Sequence, residues 1–278
     1  MPLDEQLLEA SRLSESGDDP GALKLLLDLE ADHPSDPTLL CMLGALSAHL
    51  GAEGMSSDFF RRCLAQNPTN PQILITAGSG LARSGDTQAE AALRLAALTA
   101  PELPAARMHY GAFLVRSGLL AQGIEELSAA RGLDPDSAEV RRELGIALLL
   151  AGSTNDGLSE IEAATAAEPE DPDAKLLYGL ALIQEGDLPR AAEELYKLAE
   201  PLAEDAEVQI LLALTFAAQG WEEEAWLALS RAEAAPIPAD AAVTSAVEDA
   251  IAAGQQTIRA LLLDELAPST LRDRIYRE

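Results

Sequence analysis

Apolar residues recur along this chain at the three-to-four-residue spacing of helices that hide one face, in stretches of about a dozen residues broken at regular places. The run Leu144-Gly145-Ile146-Ala147-Leu148-Leu149-Leu150 stops at Gly152, and Leu158 and Ile161 carry the next apolar face beyond it. The stops form a row, Gly17, Gly51, Gly85, Gly118, Gly152, Gly186, Gly220 and Gly254, spaced 34, 34, 33, 34, 34, 34 and 34 residues apart. Glycine fills only 19 of 278 positions, so offsets matched to this degree require one structural unit repeated eight times.

Glycine suits such a stop because it enters the left-handed conformation that ends a helix without a Cβ clash. A second break falls about seventeen residues later, at Pro34, Pro68, Pro135 and Pro169, with Pro101, Pro201 and Pro236 one or two residues early. Proline lacks the amide hydrogen that would continue a helix. The unit is therefore helix, Gly turn, helix, Pro turn. Small residues stand seven before the glycine (Ala10, Gly44, Gly78, Gly111, Gly145, Gly179, Ala213) and five after it (Ala22, Ser56, Gly123, Gly157, Ala191, Ala225). They let two helix backbones approach closely. Leu43, Tyr110, Leu144, Tyr178 and Leu212 on first helices, with Leu26, Phe60, Leu127, Ile161, Leu195 and Leu229 on second helices, are the predicted core.

Leu43-Gly44 … Phe60 … Pro68 and Leu144-Gly145 … Ile161 … Pro169 resemble the tetratricopeptide repeat, whose pattern pairs Leu-Gly on the first helix with Ala and Phe on the second and then Pro. The resemblance covers residues 3–239 as seven units, 3–36, 37–70, 71–103, 104–137, 138–171, 172–205 and 206–239. It implies an all-α fold, a right-handed superhelix of about seven hairpins closed by a degenerate capping unit at 240–266. The family's early Trp is absent, replaced by Gln6, Leu40, Leu74, Arg107, Arg141, Lys175 and Gln209, which predicts looser packing between neighbours. The third unit is irregular near Glu90-Ala91. In the cap, Val243, Val247 and Ala250, then Ile258, Leu262 and Leu266, keep the helical period. Beyond Pro268, in a tail at 267–278, Thr270-Leu271-Arg272-Asp273 has capping-box spacing, and Leu271 and Ile275 share one face of a short helix. The tail is also the one segment that is not acidic, with Arg272, Arg274 and Arg277 against Asp273 and Glu278.

Apolar residues make up 48% of the chain and aromatics only 4%, which fits close-packed helices better than sheets. The net charge of −28, acidic in every third of the chain, argues against nucleic acid and anionic membrane and leaves a basic protein partner open. Cys41 and Cys63 read as buried free thiols, and His33, His49 and His109 are scattered among different units, so no metal, cofactor or catalytic constellation is expected. Gly78-Ser79-Gly80 lacks the Gly-Lys-Ser/Thr of a phosphate loop. The start Met1-Pro2-Leu3-Asp4-Glu5 has no leader-like features and no apolar run spans a membrane, so a cytoplasmic, non-enzymatic protein is expected.

The resemblance further implies a concave groove lined by the residues ten, six and three before each turn glycine. These are Leu7, Ser11 and Ser14; Cys41, Ala45 and Ala48; Ile75, Ser79 and Ala82; Met108, Ala112 and Val115; Arg142, Ile146 and Leu149; Leu176, Leu180 and Ile183; and Ile210, Leu214 and Ala217. Of these 21 places only Arg142 is charged, whereas a chain with 24% charged residues would put about five on a solvated face. The expected function is an adaptor or chaperone-like scaffold that grips a hydrophobic peptide or amphipathic helix in an apolar groove. Family members that clamp a terminal carboxylate use Lys, Arg and Asn where Leu7, Ser11, Met42, Ala105 and His109 stand here, so that mode is not expected. Recruitment of a basic protein by the acidic surface, and self-association through the groove or an end, with the tail docking in a neighbour's groove or its own, are the alternatives.

Overall fold

The structure, a computed structural model, describes residues 2–199 and 201–275, and every regular element among them is a helix. The chain forms two compact units, residues 1–113 and 114–278. In the first, α1 (Leu3–Glu15) pairs with α2 (Asp19–Asp32), α3 (Pro37–His49) with α4 (Glu53–Ala65), and α5 (Pro71–Arg83) with α6 (Gln88–Thr99). This unit closes within α7 (Pro104–Arg116). In the second, α8 (Leu120–Leu133) precedes the hairpins α9 (Ala138–Leu150) with α10 (Thr154–Ala167), α11 (Pro172–Glu185) with α12 (Leu188–Tyr196), and α13 (Ala206–Gln219) with α14 (Glu222–Ala234). The breaks fall where the glycine and proline rows place them.

Helix starts account for part of the acidity. Asp36 accepts the Leu39 amide at 2.8 Å and Asn70 the Gln72 amide at 2.9 Å, with Pro37 and Pro71 in the first turn, where a missing amide hydrogen costs nothing. Asp171 and Asp205 cap α11 and α13 in the same way. Helix ends are equally local. Gly152 donates to the Leu149 carbonyl at 3.0 Å and Ser153 to that of Leu148 at 2.9 Å, a pairing repeated at each of the first seven turn glycines, whose φ lies between +69 and +86°.

The hairpins close over the small residues. A Cβ on Gly44 would lie 2.5 Å from the Phe60 ring, and one on Gly80 2.1 Å from the same ring, so Phe60, 1% exposed, fills a slot that glycines of two successive first helices leave open. In the second unit Ile161 fits against Gly145 and Leu195 against Gly179. The missing Trp is replaced rather than lost. Leu40 and Leu74 are buried; Arg107 and Arg141 each donate Nε to the carbonyl of the proline six residues earlier, Pro101 and Pro135, at 2.7 Å. Buried Gln209 bonds the Ala199 and Leu202 carbonyls at 3.3 and 3.1 Å. A polar head that ties down the preceding turn thus does what indole bulk would do.

The eighth unit departs from the others. After α15 (Ala241–Ala253), Gly254 takes φ +97° and ψ −175°, a conformation essentially confined to glycine, instead of the left-handed helical one. Three segments then follow without a break: α16 (Gln255–Ala260), a π-helical stretch Leu261–Leu266, and α17 (Ala267–Arg274). Pro268 therefore opens no separate element, and Thr270 lies inside the helix rather than capping it. Proline can neither donate to the carbonyl four residues back nor leave it room, and a wider turn just before it relieves both problems. Arg277 and Glu278 lie outside the described residues.

Candidate interaction groove

In the first unit the expected groove residues are largely shared between neighbouring first helices. Leu7, Cys41, Ile75, Ser79, Ala82, Met108 and Ala112 are buried; Ser11, Ser14 and Ala48 are half-buried, and Ala45 is exposed. Small side chains allow this closeness. Cys41 Sγ reaches the Ile73 carbonyl at 4.0 Å, and Ser79 Oγ lies 3.2 Å from His109 Nδ1 on α7. Cys41 and Cys63 are both buried free thiols, and the hydrogen bond with Cys63 together with burial holds the Cys41 thiol far above its ordinary range.

In the second unit Val115, Ile146, Leu149, Leu176, Leu180, Ile183, Ile210, Leu214 and Ala217 are buried and Arg142 half-buried. The sequence places these residues in an open groove. The structure instead lays the chain's last helix across α9, α11 and α13, which carry all of these but Val115: α16 on α13, the π-helical stretch on α13 and α11, and α17 on α11 and α9. Hydrogen bonds fix which faces are covered. On α11, Arg274 bonds Asp173 at the first turn, and Gln184 near the far end donates Nε2 to the Leu263 carbonyl at 3.3 Å. Asp173, Leu176, Leu180 and Gln184 follow one another at three- and four-residue steps, so Leu176 and Leu180 lie beneath the crossing segment. On α13 the brackets are Glu207, 3.3 Å from Arg274, and the Ala217 carbonyl, 2.9 Å from Gln255 Nε2, with Ile210 and Leu214 between them.

The crossing helix has an apolar face of its own. Ile258, Leu262, Ala267, Leu271 and Ile275 are all at most 3% exposed, at steps of four, five, four and four residues. The five-residue step falls in the π-helical stretch, whose wider turn absorbs one extra residue and keeps the face in line. A regular α-helix would rotate Ala267 and Leu271 away from α11. The sequence pattern contained these residues, but Leu266 rather than Ala267 fits an unbroken α period, and Leu266 proves half-buried. Nothing in the sequence pattern marks Arg274. It is 5% exposed between two carboxylates that lie 101 and 67 residues earlier in the chain.

Beside this crossing lies a cavity of about 1020 Å³. Ile210, Leu211, Val243 and Leu266 supply apolar walls; Glu204, Asp205, Glu207 and Asp240 supply the charge, and Ile237 stands 84% exposed at its edge. Among the described residues no group of His, Cys, Asp and Glu is placed to hold a metal ion, and no helix is long and apolar enough to cross a membrane.

Residues 142–207 match the sequence profile of the tetratricopeptide repeat. No curated protein sequence matches the chain significantly. Among solved structures the chain is similar to a tetratricopeptide repeat protein from Parabacteroides merdae, with 17% identity and a TM-score of 0.68 over 92% of this chain and 98% of that one. It is similar to a chain of the APC/C hetero-tetramer Cut9–Hcn1 at 17% identity and a TM-score of 0.75, covering 90% of this chain and 49% of that one. It is also similar to PilW, a type IV pilus biogenesis factor, at 18% identity and a TM-score of 0.64 over 71% and 92%. At these identities the likeness is one of fold.

Proposed function

We propose that this chain, a tetratricopeptide-repeat protein and so a scaffold for protein–protein contacts, receives an amphipathic helix of a partner along α9, α11 and α13, in exchange for its own last helix. The reading rests on the cis occupancy itself: these faces already accept a helix with buried residues at four- and five-residue steps and an arginine between Asp173 and Glu207. A surface that accommodates one such helix has the shape and chemistry for another of the same pattern. The residues that bear on the partner are Arg142, Ile146, Leu149, Leu176, Leu180, Ile183, Ile210 and Leu214. Covalent attachment gives the chain's own helix a high effective concentration, so the partner must bind more tightly or the cis helix must first be released.

A labelled peptide of residues 255–275 tests this against the full-length chain. Leu271→Asp, which puts a charge on the buried face of α17, should raise peptide affinity at least about tenfold over wild type by freeing the groove. Asp173→Lys, at a carboxylate 66% exposed, should release the cis helix without disturbing the core but should not gain the arginine-dependent part of the affinity. Absence of peptide binding to Leu271→Asp, with its helical circular dichroism intact, would refute the proposal. A concentration-dependent doubling of mass in light scattering would instead identify a second copy as the occupant.

A further inference from the structure

Aromatic residues are scarce in this chain, and most of a solenoid core here is Leu and Ala, so two large rings left in solvent side by side need a reason. Tyr196, at the end of α12, is 59% exposed, and Trp221, just after Gly220, is 40% exposed. Both lean on one buried ring. Phe216, 2% exposed, has its centroid 6.0 Å from that of Tyr196 and 5.5 Å from that of Trp221. The two rings border an open notch of about 540 Å³, whose remaining lining is Glu193, Glu224 and Lys197. Lys197 is engaged by Glu194 at 2.7 Å, while Glu193 and Glu224 meet no cation among the described residues.

The turn does not require a tryptophan at this place. Trp221 donates its amide to the Phe216 carbonyl at 2.9 Å, the same bond that every earlier turn makes with Asp18, Ala52, Asp86, Leu119, Ser153 or Asp187 in that position. The side chain is thus surplus to the helix stop, and its exposed face is presented beside Tyr196 and two carboxylates. Flat π-faces attract a cation that carries an apolar plane, and carboxylates at the rim satisfy its N–H donors. Guanidinium meets both demands better than ammonium, because it stacks and is weakly hydrated.

We propose that the notch between Tyr196 and Trp221 binds an arginine side chain presented by a basic segment of a partner protein. The net charge of −28 brings such a segment to the surface, and the aromatic notch gives it a defined seat. This site is separate from the groove crossed by the last helix and does not depend on the groove's occupant.

Trp226→Phe leaves Trp221 as the sole tryptophan, so its emission reports the notch directly. Titration with a short Gly-Arg repeat peptide should change that emission saturably, and the same peptide with neutral citrulline should bind at least about tenfold more weakly, as charge-assisted contacts are lost. By calorimetry, Trp221→Leu and Tyr196→Ala should each weaken arginine-peptide binding roughly two- to thirty-fold, the range spanned by cation–π contacts. Glu193→Gln with Glu224→Gln should weaken it and flatten its salt dependence. Unchanged affinity in both Trp221→Leu and the milder Tyr196→Phe with Trp221→Phe pair would overturn the site and leave only diffuse attraction to an acidic surface. Leu271→Asp, which acts on the groove, should leave the arginine-peptide affinity read from Trp221 emission in the Trp226→Phe background as it is; a parallel loss there would also overturn the assignment.

Discussion

Arg274, in the last helix of the chain, donates to the carboxylate of Asp173 in the first turn of α11, 101 residues earlier. The guanidinium is nearly sealed from solvent, while Asp173 remains largely exposed and Glu207 supports it from α13 at 3.3 Å. An arginine in that position is held by charge-assisted hydrogen bonds to two carboxylates, and its removal leaves those carboxylates wet rather than stranded.

Arg274→Ala should therefore loosen the crossing helix without unfolding the hairpins. The loss is about 1.5–3 kcal/mol for hydrogen bonds to a charged group. Hydrogen exchange should accelerate across residues 255–275 and stay unchanged in α9 and α10. Equal acceleration throughout the unit would show that the helix is integral to the core.

Gly254→Ala tests the exit from α15. An alanine is strained at φ +97°, ψ −175°, by about 1–3 kcal/mol. The chain would relax by leaving that conformation, which redirects α16, so protection should fall mainly in residues 255–275. Gly152→Ala, at a φ of +79° with ψ not at issue, should cost about 1–2 kcal/mol and be felt between α9 and α10. Comparing exchange maps of the two variants checks this.

Gly44→Ala should destabilise the first unit by about 1–3 kcal/mol, because the new methyl group would overlap the Phe60 ring in a filled core. Pairing it with Phe60→Leu should recover part of the loss. Chemical denaturation of the four variants of the cycle gives the coupling.

Asp86 carries a pH dependence of known sign. Its carboxyl is held below the ordinary aspartate range, first by the Gln88 amide that it caps and then by Arg61, 2.6 Å away. A depressed native pKa adds stability that is complete above the unfolded value of about 3.9 and lost as pH falls through the native value. Asp86→Asn keeps a capping oxygen but not the charge. Urea denaturation should show wild type more stable than the variant at pH 7, with the gap closing below about pH 3.9.

The repeat was legible because its signals are local. Glycine stops, proline breaks, Asp and Asn caps, and small residues such as Gly44 opposite Phe60 each act within one hairpin, and the same offsets recur along the chain. The replacement of the Trp of the tetratricopeptide pattern was legible as an absence but not as a remedy. That Arg107 and Arg141 reach back to Pro101 and Pro135 depends on a turn geometry that residue types do not reveal. The apolar character of the expected groove residues was visible too, since it follows from residue type at a fixed step, whereas their covering by the tail was legible only as one alternative among several.

The sequence by itself determined that residues 3–239 would be helical hairpins of a fixed size, which faces would be apolar, and where the helices of those hairpins would start and stop, because those choices are made by contacts a few residues apart. Only the tertiary structure decided where the last helix goes. Its path turns on the ψ of Gly254, on a π-helical step that brings Ala267 into line with Leu262, and on carboxylates at Asp173 and Glu207 that meet Arg274 across the fold. It likewise brought Tyr196 and Trp221 to the same buried Phe216. Such contacts join residues whose spacing along the chain carries no periodic signal, so their energy enters only when distant helices are already in place.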